Sequence, residues 1–289
     1  MKPRTATQPR GPSVGSVTRF LALFAVLATG CRGEAPVEPV RQLTPFRLTE
    51  GQTRLEDLEM LAESPRLKQH DALIATGVPI GDQAVAALAR SAYLTNITYI
   101  RLTDVGLTDL GLAALSVAHG LRLERLTPSQ TDMARGLSLL LDSPAGESLV
   151  DLRLRSTRGG DEVAKTIPTS RAAESLVDLA IWMPDLGDDG VRSLVAGDRW
   201  AQLKSLELAG CGWRSASLEP LTDSSHMPAL EDLTIVHFEL AQSVRDALAR
   251  ARPRLEITDR TRPTSCLPGG PAVPADMQRA VPPPIPPTR

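Results

Sequence analysis

Three apolar positions spaced as in Leu203, Leu206 and Leu208 recur along this chain every 26 or 27 residues. The triplets start at Leu43, His70, Ile97, Leu123, Leu149, Leu176, Leu203 and Leu230. A period held over eight units constrains the fold more than any other property of the sequence. Each unit must be one supersecondary element that stacks on the next. A second set keeps the same register. Ile80, Leu107, Met133, Gly159, Leu186, Trp213 and Leu240 fall ten residues after a triplet start. Leu88, Leu115, Leu141, Ile167, Leu194, Leu221 and Leu248 follow eight residues later.

The two halves of a unit read differently. The triplet suits a short strand, with alternate side chains on opposite faces. The second half is clearest in IGDQAVAAL, LTDLGLAAL and LGDDGVRSL, where apolar residues take helical spacing. Asp82, Asp109 and Asp188 stand where those helices would begin, and their side chains are expected to accept the unbonded amide protons there. One strand and one helix cannot bury their own leucines, but stacked units can. The expected class is α/β, with a parallel sheet on the concave side and helices on the convex side.

This pattern resembles the leucine-rich repeat family, closest to its ribonuclease-inhibitor-like class with long, helix-bearing units. The resemblance covers Leu43 to about Thr258, and LEIT at Leu255–Thr258 reads as a final partial strand. The family has Asn or Cys eight residues after the first leucine. Cys211 fits, whereas Thr157, Pro184 and Phe238 depart from it. The resemblance implies that Cys211 is a buried repeat residue and that the concave strand face binds macromolecules.

The two ends break the period. Lys2, Arg4, Arg10 and Arg19 precede an apolar run from Phe20 to Ala28, followed by Thr29, Gly30 and Cys31. A basic segment, a short apolar core and small residues make a secretory signal over 1–30. The run is short for a membrane span, which takes about 20 apolar residues. Ala28-Thr29-Gly30-Cys31 resembles the lipobox of bacterial lipoproteins, with Ala28 where the family usually has Leu. That resemblance implies lipidation of Cys31 and an address in the bacterial envelope. Arg32, not Asp, follows the cysteine, which implies the outer membrane where the cell has one. Residues 31–42 read as a polar tether and 259–289 as a proline-rich, disordered tail.

The rest of the sequence argues against most chemistry. With aromatics at 3%, the core must come mainly from Leu, Ala, Val and Ile, and a net charge of -2 gives no nucleic-acid footprint. There is no GxSxG, P-loop, HExxH or dinucleotide fingerprint, and His70, His119, His226 and His237 show no metal-ligand spacing. No catalytic residue, metal or cofactor is expected. Cys211 and Cys266 remain if Cys31 is acylated. An exported compartment permits them to pair, and sequence alone does not assign a pairing.

The strand face opposite the buried leucines carries Tyr99, Arg101, Arg125, Asp151, Arg153, Arg155, Asp178, Trp182, Glu207 and Asp232. Trp182 is expected to be exposed beside Arg155, the kind of pair found at binding hot spots. Trp213 shares the inward position of Leu186 and Leu240. The expectation is a lipid-anchored, non-enzymatic module that binds a protein or other envelope macromolecule, acidic at least in part. The alternative is a stalk or spacer with no tight ligand, on whose face Arg153 and Asp178 neutralise one another.

Overall fold

A computed structural model describes residues 44–49, 55–129, 134–155, 158–236 and 239–260. The signal segment, the tether with Cys31, and the tail from 261 onward lie outside them. Nine strands are described: β1 Pro45–Thr49, β2 Ala72–Thr76, β3 Tyr99–Thr103, β4 Arg125–Ser129, β5 Asp151–Arg155, β6 Asp178–Trp182, β7 Ser205–Ala209, β8 Asp232–Val236 and β9 Glu256–Arg260. They form one parallel sheet in chain order. Between them run α1 Leu55–Ala62, α2 Gly81–Ala89, α3 Asp109–Ser116, α4 Ala134–Leu141, α5 Gly160–Thr166, α6 Asp188–Val195 and α7 Gln242–Ala251.

The register puts equivalent residues side by side. Leu73, Ile100, Leu126, Leu152, Leu179, Leu206 and Leu233 pair in one row along the sheet. All seven are buried, and they join the helix residues Leu88, Leu115, Leu141, Leu194 and Leu248 in one apolar cluster. The core is therefore a layer between one sheet face and the helices. Burying a leucine side chain contributes about 1.5–3 kcal/mol, so no single unit offsets the chain entropy it orders, but the stack does.

Two local features differ from expectation. The unit that begins at Leu203 carries a 3₁₀ helix, Ser215–Thr222, instead of an α-helix. Pro220 lies inside it and has no N–H to continue an α-helical ladder. The last strand is complete, pairing with β8 from Glu256 to Arg260 and running two residues past Thr258. His70, which stands at a triplet start in place of an apolar residue, sits edge-on to Phe46 with ring centroids 5.3 Å apart, and its Nδ1 lies 3.1 Å from the Thr44 carbonyl.

The helix-start aspartates cap the following unit, not their own. Asp82 accepts from the Thr108 and Gly111 amides at 2.7 and 3.0 Å, and from the Thr108 hydroxyl at 2.6 Å. Asp109 accepts from Gly136 N at 2.6 Å, and Asp188 from Arg214 N at 2.7 Å. Asp161 and Ser215 extend the ladder, accepting from Gly187 N at 2.7 Å and Ala241 N at 2.9 Å. Sequence spacing gave the residues but not the partner, because the orphan amides nearest each carboxylate belong to the neighbouring helix. Such close approach needs room. A Cβ on Gly136 would stand 2.2 Å from the Asp109 carbonyl oxygen.

Candidate binding face

Side chains at the first, third and fifth positions of each strand lie on the face away from the helices. Register pairing brings Tyr99, Arg125, Asp151, Asp178, Ser205 and Asp232 into the first row. Arg101 and Glu207 belong to the third row, with Arg153 opposite Ala180 and Ala180 opposite Glu207. The fifth row runs Thr103, Ser129, Arg155, Trp182, Ala209, Val236 and Arg260. The expected residues thus share one face, but they do not form one uniform patch.

Arg155 and Trp182 come together. They are partners on β5 and β6, and the Arg155 guanidinium carbon sits 4.3 Å from the indole centroid. This is cation–π contact. Trp182 is half-buried, not exposed as expected, because the guanidinium covers its ring. Burial lowers the Arg155 pKa. Glu207 opposes that shift, and Arg153 and Arg101 reinforce it.

Arg153 is engaged elsewhere. Its Nε donates to both oxygens of Asp151, at 2.9 and 3.2 Å. Asp151 is 5% exposed, so it belongs to the floor of the face and not to its surface. Asp178, the partner expected for Arg153, acts on it only at longer range. Burial disfavours the Arg153 charge, but Asp151, then Asp178 and Glu207, raise its pKa overall.

On the acidic side of the face Asp178 and Glu207 are half-buried, whereas Asp232 is exposed. Burial raises the pKa of Asp178, with Asp151 adding to the shift and Arg153 and Arg125 opposing it. Burial also raises that of Glu207, against Arg260, Arg155 and Arg153. Asp232 is raised by burial and by Glu256 and Glu231. Arg260 was missed as a neighbour of Glu207 because the tail was expected to begin at 259. Its only sequence signal is its place as the fifth residue of a strand after Leu255.

Among the described residues, three buried polar atoms on this face lack a hydrogen bond: Arg101 Nε, Trp182 Nε1 and Glu207 Oε1. The indole N–H lies near enough to Glu207 to lower its pKa slightly, but the pair falls outside hydrogen-bond geometry. An unmade bond at a buried polar atom costs about 1–3 kcal/mol. Among the described residues, Arg101, Arg125 and Arg155 have no carboxylate within ion-pair distance; Arg153 does. The face offers these guanidinium groups to an anion, with an indole beside Arg155.

Other sequence candidates are structural. Trp213 is buried in the core. Cys211 is exposed and disulfide-bonded, not buried as expected: it stands in the loop after β7, outside the apolar layer. Cys31 and Cys266 lie outside the described residues. No group of three His, Cys, Asp or Glu among the described residues is arranged to hold a metal ion, and no described helix is long and apolar enough to cross a membrane. No protein-family model matches the chain, and no curated protein matches it.

Proposed function

We propose that this chain is a leucine-rich repeat protein of the bacterial envelope, anchored by lipid on Cys31, whose open strand face binds an acidic macromolecule without catalysis. The observation that carries the binding reading is the set of guanidinium groups that, among the described residues, have no carboxylate partner, Arg101, Arg125 and Arg155, the last of them stacked on a half-buried Trp182. Guanidinium forks fit carboxylates or phosphates, and the indole supplies apolar area. The partner is a protein or another envelope macromolecule, and the net charge of -2 gives nucleic acid no footprint. No cofactor enters the reading. The envelope address rests on the basic, apolar and small-residue pattern that ends at Cys31.

The spacer reading has one observation in its favour. Arg153 and Asp151 satisfy one another within the face, as a surface that binds nothing would arrange. Capture from an envelope fraction separates the two. The mature chain should retain a partner that Arg155→Glu with Trp182→Ala loses, while the melting temperature stays within a few degrees. Equal capture by the double variant would move recognition to the helices or the tail, and absence of any partner would favour the spacer. The anchor has its own test. An acylated Cys31 leaves Cys266 as the partner of Cys211, so non-reducing peptide mapping that joins Cys211 to Cys31 would overturn it.

A further inference from the structure

We propose that the repeat stack carries a built-in seam between β4 and β5, at which it opens before either side unfolds. The seam divides the described residues into an N-terminal block ending after α4 and a C-terminal block beginning at β5.

Three independent features fall at this one place. The first is in the sheet. Gly77 donates forward to the Thr103 carbonyl of the next strand, and Met183 donates forward to Ala209 in the same way. By that alternation residue 128 should donate forward to the Arg153 carbonyl. Residue 128 is proline and has no N–H. Register pairing between β4 and β5 accordingly holds at Arg125, Leu126 and Ser129 but lapses between them, whereas β3–β4 and β5–β6 pair at all five positions.

The second is in the helix layer. Of the successive α-helix pairs from α1 to α6, α4 and α5 make the thinnest contact. The third is in the capping ladder. Asp82, Asp109, Asp161, Asp188 and Ser215 each tie a helix to the next unit, but the equivalent position in α4 is Arg135, which cannot accept. The amides of Gly159 and Gly160 at the start of α5 bond instead to Asp185, at 2.9 and 3.1 Å, on the C-terminal side. Those bonds stay within one block.

In a stack whose units touch only their neighbours, cooperativity breaks first at the weakest interface. The apolar cluster continues across β4 and β5, so the seam is a weak interface and not a gap. Arg101 and Arg125 stand on one side of it, Arg155 and Trp182 on the other. If the face binds as proposed above, opening the seam changes the spacing of its basic groups.

Hydrogen exchange of the full mature chain over a urea series, read by mass spectrometry, tests the seam without any ligand. In the expected result, the amides of one block, counted from the seam, exchange together at lower urea than those of the other. Pro128→Val restores the missing donor and should draw the two openings together. One opening shared by both blocks in the wild type overturns the seam. Two openings bounded elsewhere than β4–β5, or unmoved by a folded Pro128→Val, overturn it as well. Should Pro128→Val fail to fold, the wild-type profile still decides. None of these outcomes bears on whether the face binds a partner.

Discussion

Asp188 accepts from the Ser217 hydroxyl at 2.5 Å and from Arg214 through backbone and side chain, all in the following unit. Those bonds hold its pKa down to about 2, with Ser217 the largest cause. A carboxyl whose folded pKa is depressed stabilises the fold above its unfolded value of about 3.9 and loses that contribution as pH falls through the folded value. Asp188→Asn should therefore be less stable than wild type at pH 7, with the difference closing between about pH 4 and pH 2. Urea unfolding at a series of pH values reads this directly, and a constant difference across that window would remove the assigned cause. Glu207 has the opposite sign. Burial raises its folded pKa, so its charge opposes folding above that value, and the penalty fades as pH falls toward the unfolded value. Glu207→Gln should match or exceed wild-type stability at pH 7, and its advantage should shrink on acidification.

At the scale of the element, strand and helix are governed by different contacts. The helices depend on close approach at their first turns. Gly136→Ala would set a methyl against the Asp109 backbone and should cost several kcal/mol, on the order of an overpacked core site. Thermal unfolding would show it, and a wild-type melting temperature would contradict the tight fit. On β5, Arg153→Ala leaves the 5% exposed Asp151 without its partner. That should cost about 3 kcal/mol, whereas Arg155→Ala should cost little. The strands and their buried rows were legible because Leu, Ile and Val hold a fixed period. The helix starts were legible from Asp82, Asp109 and Asp188. What stayed hidden depends on neighbours that period alone does not supply. The Asp carboxylates reach one unit onward, Arg153 turns back to Asp151, and Trp182 is covered by Arg155. Cys211 falls eight residues after Leu203, where a buried residue was expected, yet the loop after β7 carries it outward.

At the scale of the molecule, one register sends alternate residues to opposite faces of a sheet from β1 to β9. Among the described residues β9 is the last strand of that sheet, with Glu256, Thr258 and Arg260 exposed. Charge at a sheet edge discourages further strand pairing. Leu206 and Glu207 are neighbours on β7, one fully buried against the helices and the other on the open face. The most direct test is to measure the unfolding free energy of Leu206→Asp and Glu207→Gln at pH 7 beside wild type. The register predicts that Leu206→Asp loses several kcal/mol, on the order of a buried unpaired charge, while Glu207→Gln loses nothing. Wild-type stability for Leu206→Asp, or a collapse caused by Glu207→Gln, would contradict it.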